Sequence, residues 1–281
     1  MILFNEIKMI RLASIDIGYC NFAQYVEEFS INDMRKLEGR FRNLPSFKKT
    51  RVKGVISKEV KSILHDLCTS AKRIQIGVYS FADEDTDGLN DDIRVKLLKH
   101  LNNFIYLWDT CDIFVIEQQF FNSLQFKSKG RMSTKVGCNI GAIKVAESVY
   151  MWLFNKYHPF KIITYFGSQF KTQILGAPAK LNKPQRKQWS VENAKKIFND
   201  RGDKHMINIF ELSEGVKRKQ MKTEDKINQF KEEYSLNSEE CSEEDILYLA
   251  DKIIREKQKL DDPADTVNQA QAFKFKTMIA Y

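Results

Sequence analysis

Apolar residues arrive along this chain in two rhythms, short dense runs and longer stretches spaced three or four apart, and the two alternate. "MIRLASIDIGY" (9–19) is a dense run ending at a glycine and predicts a buried strand. "NFAQYVEEFSI" follows with strand-like composition, which predicts a hairpin around Gly18 to Asn21. "RIQIGVYSF" predicts a third strand. The acidic stretch after it, "DEDTDGLNDD", reads as a solvated turn, because calcium-loop spacing with a terminal Glu is missing. "IRVKLLKHLNNFIYLW" has the spacing of an amphipathic helix. "CDIFVIEQQ" predicts a buried strand with Ile113, Val115 and Glu117 on one face. "NIGAIKVAESVYMWLFNKY" is helical, "FKIITYF" a strand, and "WSVENAKKIF" a helix opened by Ser190 as its cap. Three strands followed by alternating helices and strands predict an α/β domain around a mixed sheet.

Two stretches interrupt that pattern. Residues 35–61 carry ten Lys or Arg against Glu38 and Glu59, which predicts a basic arm or loop. Residues from about 202 to 258 are highly charged and poor in Gly and Pro, which predicts a mostly helical insertion. With 281 residues the chain is long enough for a substantial core, and it is read as a single domain, 1–281, carrying these two decorations.

Charge and cysteine usage narrow the classes. Lys and Arg outnumber Asp and Glu by 45 to 37, a formal net charge of +8, which favours polyanionic partners. The five cysteines are scattered without a Cys-x-x-Cys pair, which argues against a disulfide framework or zinc site and for a reducing compartment. The four histidines are equally isolated. No apolar run approaches membrane-spanning length, and the first residues lack the layout of a signal or transit peptide. An intracellular location with no membrane partner is expected.

Candidate chemistry lies in the acids. "LDDPADTVNQAQAF" (260–273) opens the last predicted helix with three aspartates. Asp262 reads as an N-cap, Pro263 fits the first turn, and Asp265 takes the third position, where carboxylates also suit the helix dipole. Residues three apart share a helix face, so the same pair suits a divalent cation. Asp16 and Glu117 stand at the ends of two other apolar runs, where an ionised carboxylate is costly unless paired or metal-bound. Side chains at strand carboxyl ends of an open α/β sheet face one crevice. Four carboxylates gathered there would bind two Mg²⁺ or Mn²⁺ ions and need no nucleophilic Ser or Cys.

In their order, "SIDIGYCNFA", "VIEQQF" and "DDPADTVNQAQAF" resemble the metal-binding motifs of RuvC-type Holliday junction resolvases. The branch they resemble most is that of poxviruses and other large eukaryotic DNA viruses, with mitochondrial resolvases as cousins. "FKTQILGAPAKLNKPQRKQWSVENAKK" is similar to the family segment after the fifth strand, where lysines meet DNA. The likeness covers most of 10–200 and 260–281, but neither the basic arm nor the insertion. It implies a ribonuclease H-like fold: a mixed five-stranded sheet flanked by helices, with the helical insertion before the last helix. It also implies an Mg-dependent endodeoxyribonuclease that resolves four-way DNA junctions with two metal ions, and no small-molecule cofactor.

Carried over by position, Asp16, Glu117, Asp262 and Asp265 would be catalytic metal ligands, with Asp261 a cap or bystander. Phe120 would present an aromatic to bases near the crossover, or simply pack under its loop. Lys171 and Lys183 match the family's active-site-side lysines, and Lys180 competes with Lys183 because the loop is about one residue longer. Charge layout adds Lys127, Lys129, Arg131 and Lys135 after Glu117, and Arg186 and Lys187 later, as phosphate contacts. Cutting two strands symmetrically implies a homodimer, with "NIGAIKVAESVYMWLF" as the family-like dimer surface. Viral kinship implies cytoplasmic replication sites, with the nucleus also open.

Three rival readings remain. The same carboxylates serve ribonuclease H-like enzymes that cut RNA or RNA–DNA hybrids. "IDIGYCNFA" also resembles the first phosphate loop of actin-like ATPases, whose second Asp-Gly loop and adenosine-binding glycines are missing. The last is a DNA-binding protein with no catalysis.

Overall fold

The computed structural model describes residues 8–18, 20–51, 55–82, 89–119, 122–128, 131–137, 140–216 and 260–280. Its centre is a five-stranded sheet of β1 (Met9–Asp16), β2 (Phe22–Ser30), β3 (Lys72–Tyr79), β4 (Ile113–Gln118) and β7 (Ile162–Gly167). Spatial order is β3-β2-β1-β4-β7. The first three strands pair antiparallel, while β1 with β4 and β4 with β7 run parallel. A separate antiparallel ribbon, β5 (Asn122–Ser128) and β6 (Arg131–Gly137), follows β4. The mixed five-stranded sheet flanked by helices is the ribonuclease H-like arrangement expected.

The first hairpin turns where the sequence pattern places it, with Asp16 opposite Ala23. Gly18 is required there, because a Cβ would stand 2.8 Å from the Asn21 carbonyl oxygen. Both faces of the sheet are buried, which is why β1 and β4 read as continuous apolar runs. Alternation divides them: Leu12, Tyr25, Phe29, Ile113 and Val115 enter one core, and Ala13, Ile15, Phe22, Phe114 and Ile116 the other.

The second core is covered by α4 (Asp91–Asn103), α5 (Ile105–Trp108) and α6 (Ile140–Tyr157). Over the first lie α1 (Ile31–Arg42), α3 (Lys58–Thr69), α8 (Lys183–Arg201), α9 (Lys204–Val216) and α10 (Asp261–Lys274), with the short α2 (Ser46–Lys49) and α7 (Ser168–Ile174) at its margin. Helix α10 continues into a π-turn, Phe275–Ile279. Nearly every residue of α10 is buried, since it crosses the sheet face with α7 and α8 beside it.

Three expectations need correction. Residues 35–61 are not an open basic loop throughout: α1 buries Met34, Leu37 and Phe41, and α3 buries Val60, Ile63, Leu64 and Leu67. These apolar residues recur at helical spacing between the cations, so the arm narrows to the described residues 43–51 and 55–57, which include the short α2. Helix α8 begins seven residues before Ser190, with Asn182 and Gln185 forming a capping box. Ser190 is a buried mid-helix residue instead. On α10 the cap position belongs to Leu260, and both Asp261 and Asp262 lie in the first turn, so Asp262 is not the N-cap. Of the expected insertion, 204–216 is helix; 217–259 lie outside the described residues, as do 83–88 of the acidic turn.

Candidate active site

Strand parity aims the two strand-end acids. Asp16 shares its face with Leu12, and Glu117 with Ile113 and Val115, so both carboxylates face α10. The parallel register pairs Ile15 with Ile116, which leaves Asp16 and Glu117 as neighbours at the carboxyl ends of β1 and β4. Asp265 reaches the same place from the first turns of α10. Lys171, on α7 directly after β7, points between them and is only 3% exposed.

Lys171 Nζ lies 2.9 Å from Glu117 Oε1, 3.5 Å from Asp16 Oδ2 and 3.5 Å from Asp265 Oδ2. Three acids from three elements thus surround one cation. Burial and the adjacent Glu117 charge push the Asp16 carboxyl well above its ordinary value of 3.8, against the pull of Lys171. Burial would raise Glu117 as well, yet the Lys171 ammonium and a hydrogen bond from Asp16 hold it below 4.5. Burial opposes the charge on Lys171, but Asp16, Asp265 and Glu117 outweigh it and raise its proton affinity well above the usual lysine value. The two neighbouring carboxyls are thus shifted in opposite directions, Asp16 upward and Glu117 downward.

Neighbouring polar groups fix the acids. Gln119 Nε2 donates to Glu117 Oε2 at 3.1 Å. Ser190 Oγ donates to Asp265 Oδ1 at 2.5 Å, and Asn268 Nδ2 donates to Ser190 Oγ at 2.7 Å. One turn after Asp265, the buried Gln269 donates to the carbonyls of Ile15 (3.2 Å) and Val115 (3.1 Å), which ties α10 to the two strands just before their acids. Asp262 sits one turn before Asp265, at the Lys187 end of the site. Burial disfavours the Lys187 charge, but a hydrogen bond to Asp261 and the charges of Asp261, Asp262 and Asp265 raise its proton affinity.

Of the residues singled out by sequence, the structure brings Asp16, Glu117, Asp265 and Lys171 together and sets Asp262 on the adjoining turn. Lys180 is exposed in the approach to α8, and Lys183 and Arg186 are exposed on its first turn. Lys127, Arg131 and Lys135 fall on the β5–β6 ribbon; Phe120 and Lys129 lie outside the described residues. Ser190, Asn268, Gln119 and Gln269 were not foreseen. Gln269 alone left a signal, four residues after Asp265 and so on the same helix face.

The donor chemistry suits a hard divalent cation, which takes carboxylate oxygens. A single cationic point is already surrounded by three of them, and that point holds the Lys171 ammonium. Among the described residues no group of three or more His, Cys, Asp or Glu side chains is arranged so that it could hold a metal ion.

Fold and site together define a ribonuclease H-like domain with an acidic centre at the carboxyl ends of its parallel strands. No family model matches the chain. An uncharacterized protein, 97L of Invertebrate iridescent virus 3, is 28% identical over 196 residues, 68% of this chain and 86% of that protein. Among solved structures the chain is similar to the fowlpox virus Holliday junction resolvase, at 12% identity and a TM-score of 0.37, over 95% of this chain and 99% of that one. It is also similar to Thermus thermophilus RuvC, at 10% identity and a TM-score of 0.37, over 68% and 81%.

Proposed function

We propose that this chain is a metal-dependent nuclease that cuts phosphodiester bonds in four-way DNA junctions. The observation that carries the reading is the convergence of Asp16, Glu117 and Asp265, from β1, β4 and α10, on one buried cationic point. A surplus of buried carboxylates costs stability and is retained where cation binding compensates it. Asp16, Glu117, Asp265 and, on the adjoining turn, Asp262 would hold two Mg²⁺ ions, with Mn²⁺ as a substitute. Such ions activate a water and stabilise the leaving oxygen of a phosphodiester.

The chain's own residues do the rest. Gln119 and Ser190 orient the carboxylate oxygens of Glu117 and Asp265 by donating to them. Gln269 keeps α10 in register with both strands, so the acids of different elements hold their spacing. Lys171, held among the acids, would supply a positive charge beside the scissile phosphate. Lys180, Lys183, Arg186 and the basic ribbon would neutralise flanking phosphates without reading sequence. Products would carry a 5′-phosphate and a 3′-hydroxyl. Paired cuts need two sites, hence a homodimer, for which α6 is the proposed surface. Among the described residues no helix is long and apolar enough to cross a membrane, and the proposed place of action is where viral DNA is replicated.

The test is cleavage of an end-labelled four-way junction beside matched duplex, splayed arms and an RNA–DNA hybrid, with Mg²⁺ or Mn²⁺. Paired nicks in opposing junction strands, lost in Asp16→Asn, are expected. Cutting of the hybrid alone would move the substrate to RNA.

A further inference from the structure

We propose that residues 43–51 form a second nucleic-acid contact, in which the Phe47 ring stacks on an unstacked base while neighbouring cations hold the phosphates of the same strand. The inference rests on the nuclease reading and names a contact in a stretch that the family resemblance does not cover.

The placement comes from Arg51. Its guanidinium donates to the carbonyl of Gln173 at 3.0 Å and to that of Ala177. Gln173 lies two residues past Lys171, about 3 Å along the helix axis, so the arm is fastened to the very helix that carries the buried lysine. Its far end is fastened as well. Gly176 has a φ of +89°, and a Cβ on it would stand 2.7 Å from the Ile56 side chain, so only glycine allows the arm this close.

Composition and exposure identify the occupant. From residue 42 to residue 61 the chain holds Arg42, Lys48, Lys49, Arg51, Lys53, Lys58 and Lys61 against Glu59 alone. The exposed Lys180, Lys183 and Arg186 follow α7 on the other side of its junction with the arm. Amid these cations Phe47 is 70% exposed, and α2 buries none of its residues, so the ring does not serve the core. A lone exposed apolar residue is ordinary. A large exposed aromatic beside Lys48 and Lys49, on an arm tied through Arg51 to the helix that carries Lys171, has the chemistry of a stacking platform. The ion pairs Lys48–Glu59 and Arg42–Glu38 are surface pairs of small worth, which a phosphate can replace. A ring face needs an unstacked base, so the partner is a DNA strand at a branch point rather than a sealed duplex.

The experiment measures fluorescence anisotropy of the full chain with a labelled four-way junction and a sealed duplex over a range of salt, without divalent metal. Phe47→Ala is expected to weaken junction binding about ten-fold, with duplex binding unchanged. Lys48→Gln combined with Lys49→Gln should reduce the salt slope by about two. Lys72→Gln, on the edge strand β3 at the opposite side of the sheet, should change neither. Unchanged junction binding by Phe47→Ala, or an equal loss on junction and duplex, would overturn the contact. Metal-dependent cutting by the same preparations separates the two readings: a chain that still cuts junctions while its arm variants bind normally removes the arm contact alone.

Discussion

Helix α10 ends in two buried ionic clusters of opposite balance. At its Lys274 end, one carboxylate serves two cations: Glu27 lies 2.5 Å from Lys274 Nζ and 2.9 Å from the Arg201 guanidinium. Tyr25 and Gln271 also donate to Glu27, and neither Glu27 nor Lys274 has any exposed surface. At its Asp265 end, three carboxylates share one cation, and Asp265 keeps 28% of its side chain exposed. Burial alone would raise the Glu27 carboxyl, yet its two cations bring it down to about 2. Burial and a neighbouring acid push Asp16 upward instead. Lys274 shows what sharing costs: burial and the Arg201 charge lower its proton affinity despite Glu27. One cluster is closed and cationic, a clamp between β2, α8 and α10. The other is partly open and short of positive charge, which makes it the proposed cation site.

Breaking either cluster should therefore have opposite consequences. Asp16→Asn and Asp265→Asn are expected to lower junction cleavage by roughly 10³-fold or more, a few kcal/mol of transition-state stabilisation. Their unfolding midpoints in urea should be unchanged or higher, because each removes surplus negative charge. Glu27→Gln should do the reverse to stability. It leaves Lys274 and Arg201 buried without a counter-charge, which costs about 3–5 kcal/mol by denaturant titration.

Acid should act on the same cluster. A carboxyl at about 2 in the folded chain and 4.5 when unfolded contributes stability that is complete above about pH 4.5 and lost as pH falls toward 2. The loss amounts to roughly 3 kcal/mol, and Glu27→Gln should abolish that part of the pH dependence in urea titrations. Saturating divalent cation should sharpen the contrast from the other side. At a hundred times its dissociation constant Mn²⁺ is expected to stabilise the unaltered chain by about 2.7 kcal/mol and Asp265→Asn far less, as read by thermal unfolding. The smallest expected effect is that of Ser190→Ala. Removing the hydroxyl that holds Asp265 Oδ1 should cost about 2 kcal/mol of stability and slow cleavage less than loss of the acid does.

The two clusters also differ in how visible they are from sequence. Asp16 and Glu117 stand out because each ends an apolar run, and the Asp-x-x-Asp of α10 opens the last apolar one, so the acidic centre is readable as a set. The sheet is readable for the same reason, since strands buried on both faces leave dense runs such as "DIFVIE". Lys171 could be singled out only by resemblance, because its position between the acids depends on how α7 leaves β7. The closed cluster was invisible. Glu27 sits in "VEEFS", where a charged pair reads as the solvent side of a strand, and its partners lie 174 and 244 residues away along the chain. Ser190 reads as a cap in sequence because serine favours caps, and only the tertiary contact with Asp265 explains a buried mid-helix serine. In α1 the abundance of Lys and Arg hid the regular spacing of Met34, Leu37 and Phe41.

The central claim is that the charge-deficient end of α10 takes up divalent cations, and the most direct test needs no substrate. Isothermal titration of Mn²⁺ into the DNA-free chain, unaltered and as Asp265→Asn, is expected to show binding that the substitution weakens at least ten-fold, with Glu27→Gln leaving it intact wherever the variant remains folded. Binding of equal strength in the unaltered chain and Asp265→Asn, or none in either, would contradict the account and leave the three acids as a structural counter-charge for Lys171.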